Sequence, residues 1–125
     1  WFDDASMIAD ATDTLDLTGT LTDIYGDSVD MVRVKCIFFK NTSTTASQLQ
    51  VGPHAAANPF QMGLTSVGGA TGNEAIIVPK GGAFCIFTPD ATAYAVGAGA
   101  TDDMEVFEAS SLAALYEIAV VGASA

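Results

Sequence analysis

The amino-acid sequence predicts an all-β, single-domain β-sandwich or jelly roll of about eight strands, carrying an extended N-terminal arm. Three observations lead there. Between residues 74 and 122, short apolar β-forming runs alternate with turn signals: Ala75-Ile76-Ile77-Val78, Ala83-Phe84-Cys85-Ile86-Phe87-Thr88, Tyr94-Ala95-Val96, Met104-Glu105-Val106-Phe107 and Leu115 to Val121 are separated by Pro79-Lys80-Gly81-Gly82, Pro89-Asp90 and Gly97-Ala98-Gly99. Half of the residues are hydrophobic and only 15% are charged, a balance that suits a folded β protein with surface committed to neighbours. The length of 125 residues is enough for one core and one domain.

The elements follow in order. Residues 1–13 combine four aspartates with scattered apolar residues and show neither strand alternation nor a sustained helical period, so they read as an extended arm preceding a sandwich domain over 14–125. Trp1, Phe2, Met7 and Ile8 are its candidate partner contacts, because large apolar side chains are unusual in a solvated tail. From Thr14, the spacing of Leu15, Leu17 and Leu21 against Asp16, Thr18, Thr20 and Thr22 predicts a half-buried strand. Tyr25-Gly26-Asp27 breaks it, and Ser28 to Val32 is expected to make one helical turn capped by Asp27 or Ser28.

Arg33 to Lys40 re-enters the sheet, with Val34, Cys36 and Phe38 on one face and Arg33, Lys35, Ile37 and Phe39 on the other. Being apolar on both faces at its far end, this strand is expected to be central or covered. Asn41-Thr42-Ser43-Thr44-Thr45 reads as a polar loop leading to a short strand at Gln48 to Gly52, the two strands and the loop together reading as a hairpin. Residues 52–73 have the weakest pattern, and a loop that long in a compact domain is expected to contact a partner. Leu112 to Ile118 favours a helix by propensity but alternates as a strand, and the strand is preferred.

Composition excludes several functions. With 15 acidic against 4 basic residues, the formal net charge of −11 repels phosphate backbones and anionic membranes, so direct nucleic-acid or membrane binding is not expected. No apolar run approaches the roughly 20 residues of a membrane-spanning helix. The amino end begins without Met and carries neither the basic region nor the apolar run of a signal peptide, so the chain reads as processed or partial. Cys36 and Cys85 both lie in apolar strand runs and are expected as buried thiols rather than a disulfide.

The chemistry of reaction sites is mostly missing. The single histidine, His54, has no nucleophile at a telling spacing and is assigned no catalytic role. Gly68-Gly69-Ala70-Thr71-Gly72 and Gly97-Ala98-Gly99 lack the ending of a phosphate-binding loop and read as turns. Asp102-Asp103 with Glu105, and Asp23 with Asp27 and Asp30, could offer oxygens to calcium but match no EF-hand and read as solvated loop charge. No carboxylate pair is singled out for glycoside hydrolysis. Phe38, Phe39, Phe84, Phe87, Phe107 and Tyr116 are assigned to the core, whereas Tyr25, Tyr94, Phe60 and Met62 fall at turns or loops and join the candidate contacts. The expected protein is not an enzyme and needs no cofactor or metal.

Several strings together resemble small virion structural proteins of tailed bacteriophages, of the kind that decorate or cement capsids: Leu21 to Asp27, Val34 to Ser43, Leu49 to Gly52, Val78 to Phe84, Pro89 to Val96 and Tyr116 to Gly122. The resemblance spans residues 14–122 and implies a sandwich or jelly roll that assembles as a homotrimer on the outer surface of the capsid. It further implies the major capsid protein as partner, no enzymatic activity, and no catalytic residues. The acidic, aromatic amino end and the Pro53-His54 and Pro59-Phe60 pieces depart from the pattern. The competing expectation from the residues is a lectin-like host or glycan-binding module of a phage tail or fibre, using loop aromatics and calcium-binding carboxylates.

Overall fold

The computed structural model describes residues 1–23, 25–53, 60, 75–99 and 101–124. They form nine strands and no helix: β1 (Phe2–Met7), β2 (Thr12–Asp16), β3 (Arg33–Asn41), β4 (Gln48–Pro53), β5 (Ile76–Pro79), β6 (Ala83–Phe87), β7 (Tyr94–Ala95), β8 (Asp103–Glu108) and β9 (Ala114–Ala123). Two antiparallel sheets result. The first, sheet A, has the order β1-β9-β3-β6 with β7 also paired to β3, and the second, sheet B, has the order β2-β8-β4-β5. The all-β sandwich expected from the strand spacing is what forms.

Each expected strand has a counterpart, although the one expected from Thr14 to Thr22 begins at Thr12, inside the segment read as an arm, and ends at Asp16, and the extra strand also lies in that segment. Phe2–Met7 pairs with β9 over six residues, from Phe2 opposite Ala119 to Met7 opposite Ala114. Residues 2–7 are thus part of the chain's own sheet and not a free tether. Alternation was disguised because β1 is an edge strand whose outward positions mix Phe2 with Asp4 and Ser6 and whose inward positions include Asp3 as well as Ala5 and Met7. The helical turn expected at 28–32 is also absent: Ser28 makes an isolated bridge to Thr22, and Met31 N–H donates to the Leu17 carbonyl at 3.0 Å.

The core lies between the sheets. Leu15, Leu17, Leu49, Val51, Met104 and Val106 meet Val34, Ile37, Phe39, Tyr116, Ile118 and Val120, all buried. Phe39 stacks on Tyr116 at 5.1 Å and on Phe84 at 5.6 Å between ring centroids. The β3 strand is central, as its two apolar faces suggested, yet its alternation breaks: the pairing with β9 shifts register between Val34 and Cys36. One extra residue, Lys35, lets Val34 and then Ile37, Phe39 and Asn41 all point inward.

Gly81 and Gly122 are among the glycines that the fold requires. Gly81 sits at φ 73° in the turn from β5 to β6, where Gly82 N–H donates to the Pro79 carbonyl at 2.8 Å. At Gly122, a Cβ would lie 2.6 Å from the Arg33 carbonyl oxygen and 2.9 Å from Met31 Sδ. Gly122→Ala is therefore expected to force β9 away from β3 and cost about 1–3 kcal/mol, read as a lowered urea midpoint with unchanged slope.

Buried polar groups tie the layers together. The Asn41 side chain, fully buried at the end of β3, donates from Nδ2 to the carbonyls of Val78 in β5 and Ser47, at 3.0 and 3.2 Å, and accepts the Ser43 N–H at 3.1 Å. The segment 41–45, expected as the polar loop of a β3–β4 hairpin, instead carries the chain from sheet A to sheet B, and it begins as an inter-sheet clasp. Tyr116 in β9 donates its hydroxyl to Asp13 in β2, and burial followed by that carboxylate pushes the phenol well above its ordinary value. Glu108 is fully buried and accepts the N–H groups of Asp10, Ser110 and Leu112 at 3.2, 2.9 and 3.1 Å, with the Ser110 hydroxyl a fourth donor.

Candidate interaction surface

Because successive side chains of a strand point to opposite sides, the register of sheet A defines its outer face. Across one row lie Phe2, Ala119, Phe38 and Cys85, from β1, β9, β3 and β6. The neighbouring row reads Val121, Cys36 and Phe87. The row on the other side is charged, with Asp4, Glu117, Lys40 and then Ala83.

These apolar side chains are open. Phe2 is 62% exposed, Phe87 67%, Val121 57% and Phe38 39%. At about 200 Å² for a whole phenylalanine side chain, the three rings alone present roughly 300–350 Å², and Val121, Ala119 and the cysteines enlarge the patch to a size at which a monomer's largest apolar patch is often a contact site. The outer face of sheet B differs: Thr12, Thr14, Asp16, Asp103, Glu105, Gln48 and Gln50 cover most of it, and half-buried Phe107 and the β5 edge residue Ile77 are its apolar members. One side of the sandwich thus has two apolar rows beside a charged one, and the other is mainly acidic and polar.

Five assignments change as a result. Phe38 and Phe87, expected in the core, lie on the outer face of sheet A, and Phe107, also expected there, faces outward from sheet B, while Phe39 and Tyr116 are buried as expected. Cys85 is exposed and Cys36 only partly buried, so the thiols are not core residues; both are free, with their sulfurs 3.6 Å apart. Burial and then the neighbouring Cys85 push the Cys36 thiol up. The signal available in the sequence was the two-sided apolar character of β3 and β6, which marks a strand covered on both sides. Which side belongs to the core depends on the bulge at Lys35.

Of the contacts expected from sequence, Phe2 joins this face. Met7 and Phe60 do not: they are 6% and 2% exposed and belong to the core. Met7 closes the inward row of β1 opposite Ala114, and Phe60 is held by its N–H donating to the Asp103 carbonyl at 2.8 Å. Trp1 is half-buried against the core, its ammonium donating to the Val120 carbonyl at 3.0 Å beside an open groove of about 350 Å³ lined by Val29, Met31, Val121 and Gly122. Tyr94 is half-buried in β7. Ile8 and Tyr25 are exposed at separate turns, away from the apolar rows. Met62, His54 and most of the 52–73 segment lie outside the described residues.

The two acidic sets serve as local ties. Asp102 is buried and accepts from the Thr18 hydroxyl at 2.7 Å and from the Gly99 N–H; burial works to raise its pKa, but these donors outweigh it and hold the carboxyl below the usual range. Asp103 and Glu105 face the opposite way along β8. Asp23 accepts the N–H groups of Tyr25 and Asp27, closing its own turn. Among the described residues, no group of three or more His, Cys, Asp or Glu is placed to hold a metal ion.

A scan against protein-family models and searches of curated proteins and of solved structures found no match to this chain.

Proposed function

We propose that the chain is a non-enzymatic virion structural protein of a tailed bacteriophage, a capsid decoration or cement protein that acts as a homotrimer on the outer surface of the head. The observation that carries this reading is the apolar outer face of sheet A, with Phe2, Phe38, Phe87 and Val121 open on a chain of net charge −11. Copies of so acidic a protein repel one another, and this face, whose central rows carry no charge, is where they can approach. Three copies turning it to a common axis bury it, while Ile8 and Tyr25 remain exposed for the major capsid protein. Weak attachments of the three copies to the shell then reinforce one another through effective concentration. The resemblance of residues 14–122 to phage decoration proteins supports the same reading.

The test is the absolute mass in solution by light scattering after size exclusion, with and without a calcium chelator. A chelator-insensitive trimer is expected. A monomer, or an assembly that falls apart without calcium, counts against the cement role and favours the glycan-binding module. Joint replacement Phe38→Asp and Phe87→Asp is expected to convert the trimer to folded monomer and lower capsid occupancy on the order of 100-fold, corresponding to about 3 kcal/mol of lost apolar contact. Unchanged mass and occupancy would place the interface elsewhere.

A further inference from the structure

Cys36 and Cys85 project from neighbouring antiparallel strands on the same open side of sheet A. Cys36 faces Phe87 and Cys85 faces Phe38 across the ladder, so the two thiols form a diagonal pair. Diagonal neighbours ordinarily stand about 7–8 Å apart, too wide to share a bond. The register shift between Val34 and Cys36 lies immediately before the first cysteine, and a bulge increases local right-handed twist, which draws one diagonal together. The sulfurs accordingly sit 3.6 Å apart. Closing to the roughly 2.05 Å of a disulfide takes about 1.5 Å, a movement shared between two side chains that no core packing confines.

We infer that Cys36 and Cys85 are a redox site that reacts with a low-molecular-weight disulfide, of the oxidised glutathione class, to close a reversible cross-strand disulfide within one chain. In the single chain, before copies assemble over this face, the exposed Cys85 thiolate attacks one sulfur of the glutathione disulfide; that S–S bond breaks, and the first glutathione leaves and takes up the proton that Cys85 released. The Cys36 thiolate then attacks Cys85 Sγ, breaking the mixed disulfide, and the second glutathione leaves with the proton from Cys36. Two protein thiols are oxidised by two electrons, and one glutathione disulfide is reduced to two thiols. Because burial and Cys85 push the Cys36 thiol up, the second step quickens as pH rises.

The ring so closed spans a sequence separation of 49 residues. It leaves sheet A after β3, passes through β4 and β5 of sheet B, and returns to sheet A at the edge strand β6. One bond therefore straps both layers and pins an edge. Loop-closure entropy for a ring of this length corresponds to a rise in Tm on the order of 10 °C.

The experiment dilutes the folded, reduced protein until light scattering gives the mass of a single chain, so that this face is uncovered, incubates it with oxidised glutathione, then counts thiols under denaturing conditions and maps peptides without reduction. The expected result is a fall from two titratable thiols to none, a peptide joining Cys36 to Cys85 within a single chain, and a Tm about 10 °C higher that dithiothreitol reverses. Cys36→Ser and Cys85→Ser are each expected to lose the Tm rise, and Cys36→Ser to stop at glutathione carried on Cys85. In the unsubstituted protein, glutathione persisting on Cys85, disulfides between chains, or unreactive thiols would overturn the inference. The comparison of oxidised with reduced unsubstituted protein stands even if a variant fails to fold.

Discussion

Glu108→Gln is expected to lower the unfolding free energy by about 3 kcal/mol and Tm by about 10 °C, measured by urea and thermal denaturation. The Glu108 carboxylate is fully buried and receives three N–H groups and one hydroxyl, joining the β1–β2 turn through Asp10 to the β8–β9 turn through Ser110 and Leu112. Glutamine supplies one acceptor oxygen where the carboxylate supplied two, and its amide hydrogens meet donors. The two turns also hold Asp10 and Ser111 at positive φ, 57° in each case, a conformation that costs on the order of 1 kcal/mol per residue without glycine. Their strain is tolerated because the carboxylate holds both turns.

The same site makes stability sensitive to acid. Burial works to raise the Glu108 pKa, but the Ser110 hydroxyl and the three N–H groups outweigh it and hold the folded value below the ordinary 4.5. A depressed folded pKa means that the unfolded chain binds the proton more readily. The stabilisation is therefore complete above pH 4.5 and is lost as pH falls below that through the folded value. Asp102 acts in the same direction. Glu108→Gln should flatten the acid limb of a stability-against-pH curve; an unchanged limb would assign it to other groups.

Asn41→Leu is expected to cost about 2–4 kcal/mol, because the branched shape is kept but the side chain is larger and the carbonyls of Val78 and Ser47 and the Ser43 N–H all lose a buried partner. Asn41→Asp is a sharper version. A carboxylate in place of the amide would face two carbonyl oxygens instead of donating to them, so the loss at neutral pH should exceed that of leucine. Relative to the unsubstituted protein at each pH, part of that loss should return in acid, when the carboxyl carries a proton to donate. If both variants unfold with the parent's urea midpoint, the inter-sheet clasp contributes nothing.

Much of the sandwich was legible because strand signals are local. The inward positions of β9, Ala114, Tyr116, Ile118 and Val120, alternate without interruption, and turn residues such as Pro79-Lys80-Gly81-Gly82 punctuate the chain regardless of what packs nearby. Strand β1 was not legible as a strand, because an edge strand with Asp3 on its inward side breaks the alternation. Asn41, Ser43 and Glu108 look like solvated loop and surface residues in the sequence, since a polar side chain carries no local sign of the donors that will surround it.

The interaction face shows the same division. Sequence alone determined that β3 and β6 are apolar on both sides, and hence that something must cover each side. It could not say which side is the core, because a one-residue shift of register exchanges the two faces. The bulge at Lys35, fixed only when β3 pairs with β9, turns Ile37 and Phe39 inward and leaves Phe38 and Cys36 outward. Pairing with β6 then sets Phe87 and Cys85 beside them, and β1 adds Phe2 from the far end of the chain order. Composition and period belong to the sequence; the juxtaposition of residues 2, 38, 85 and 121 is long-range, and only tertiary packing creates it.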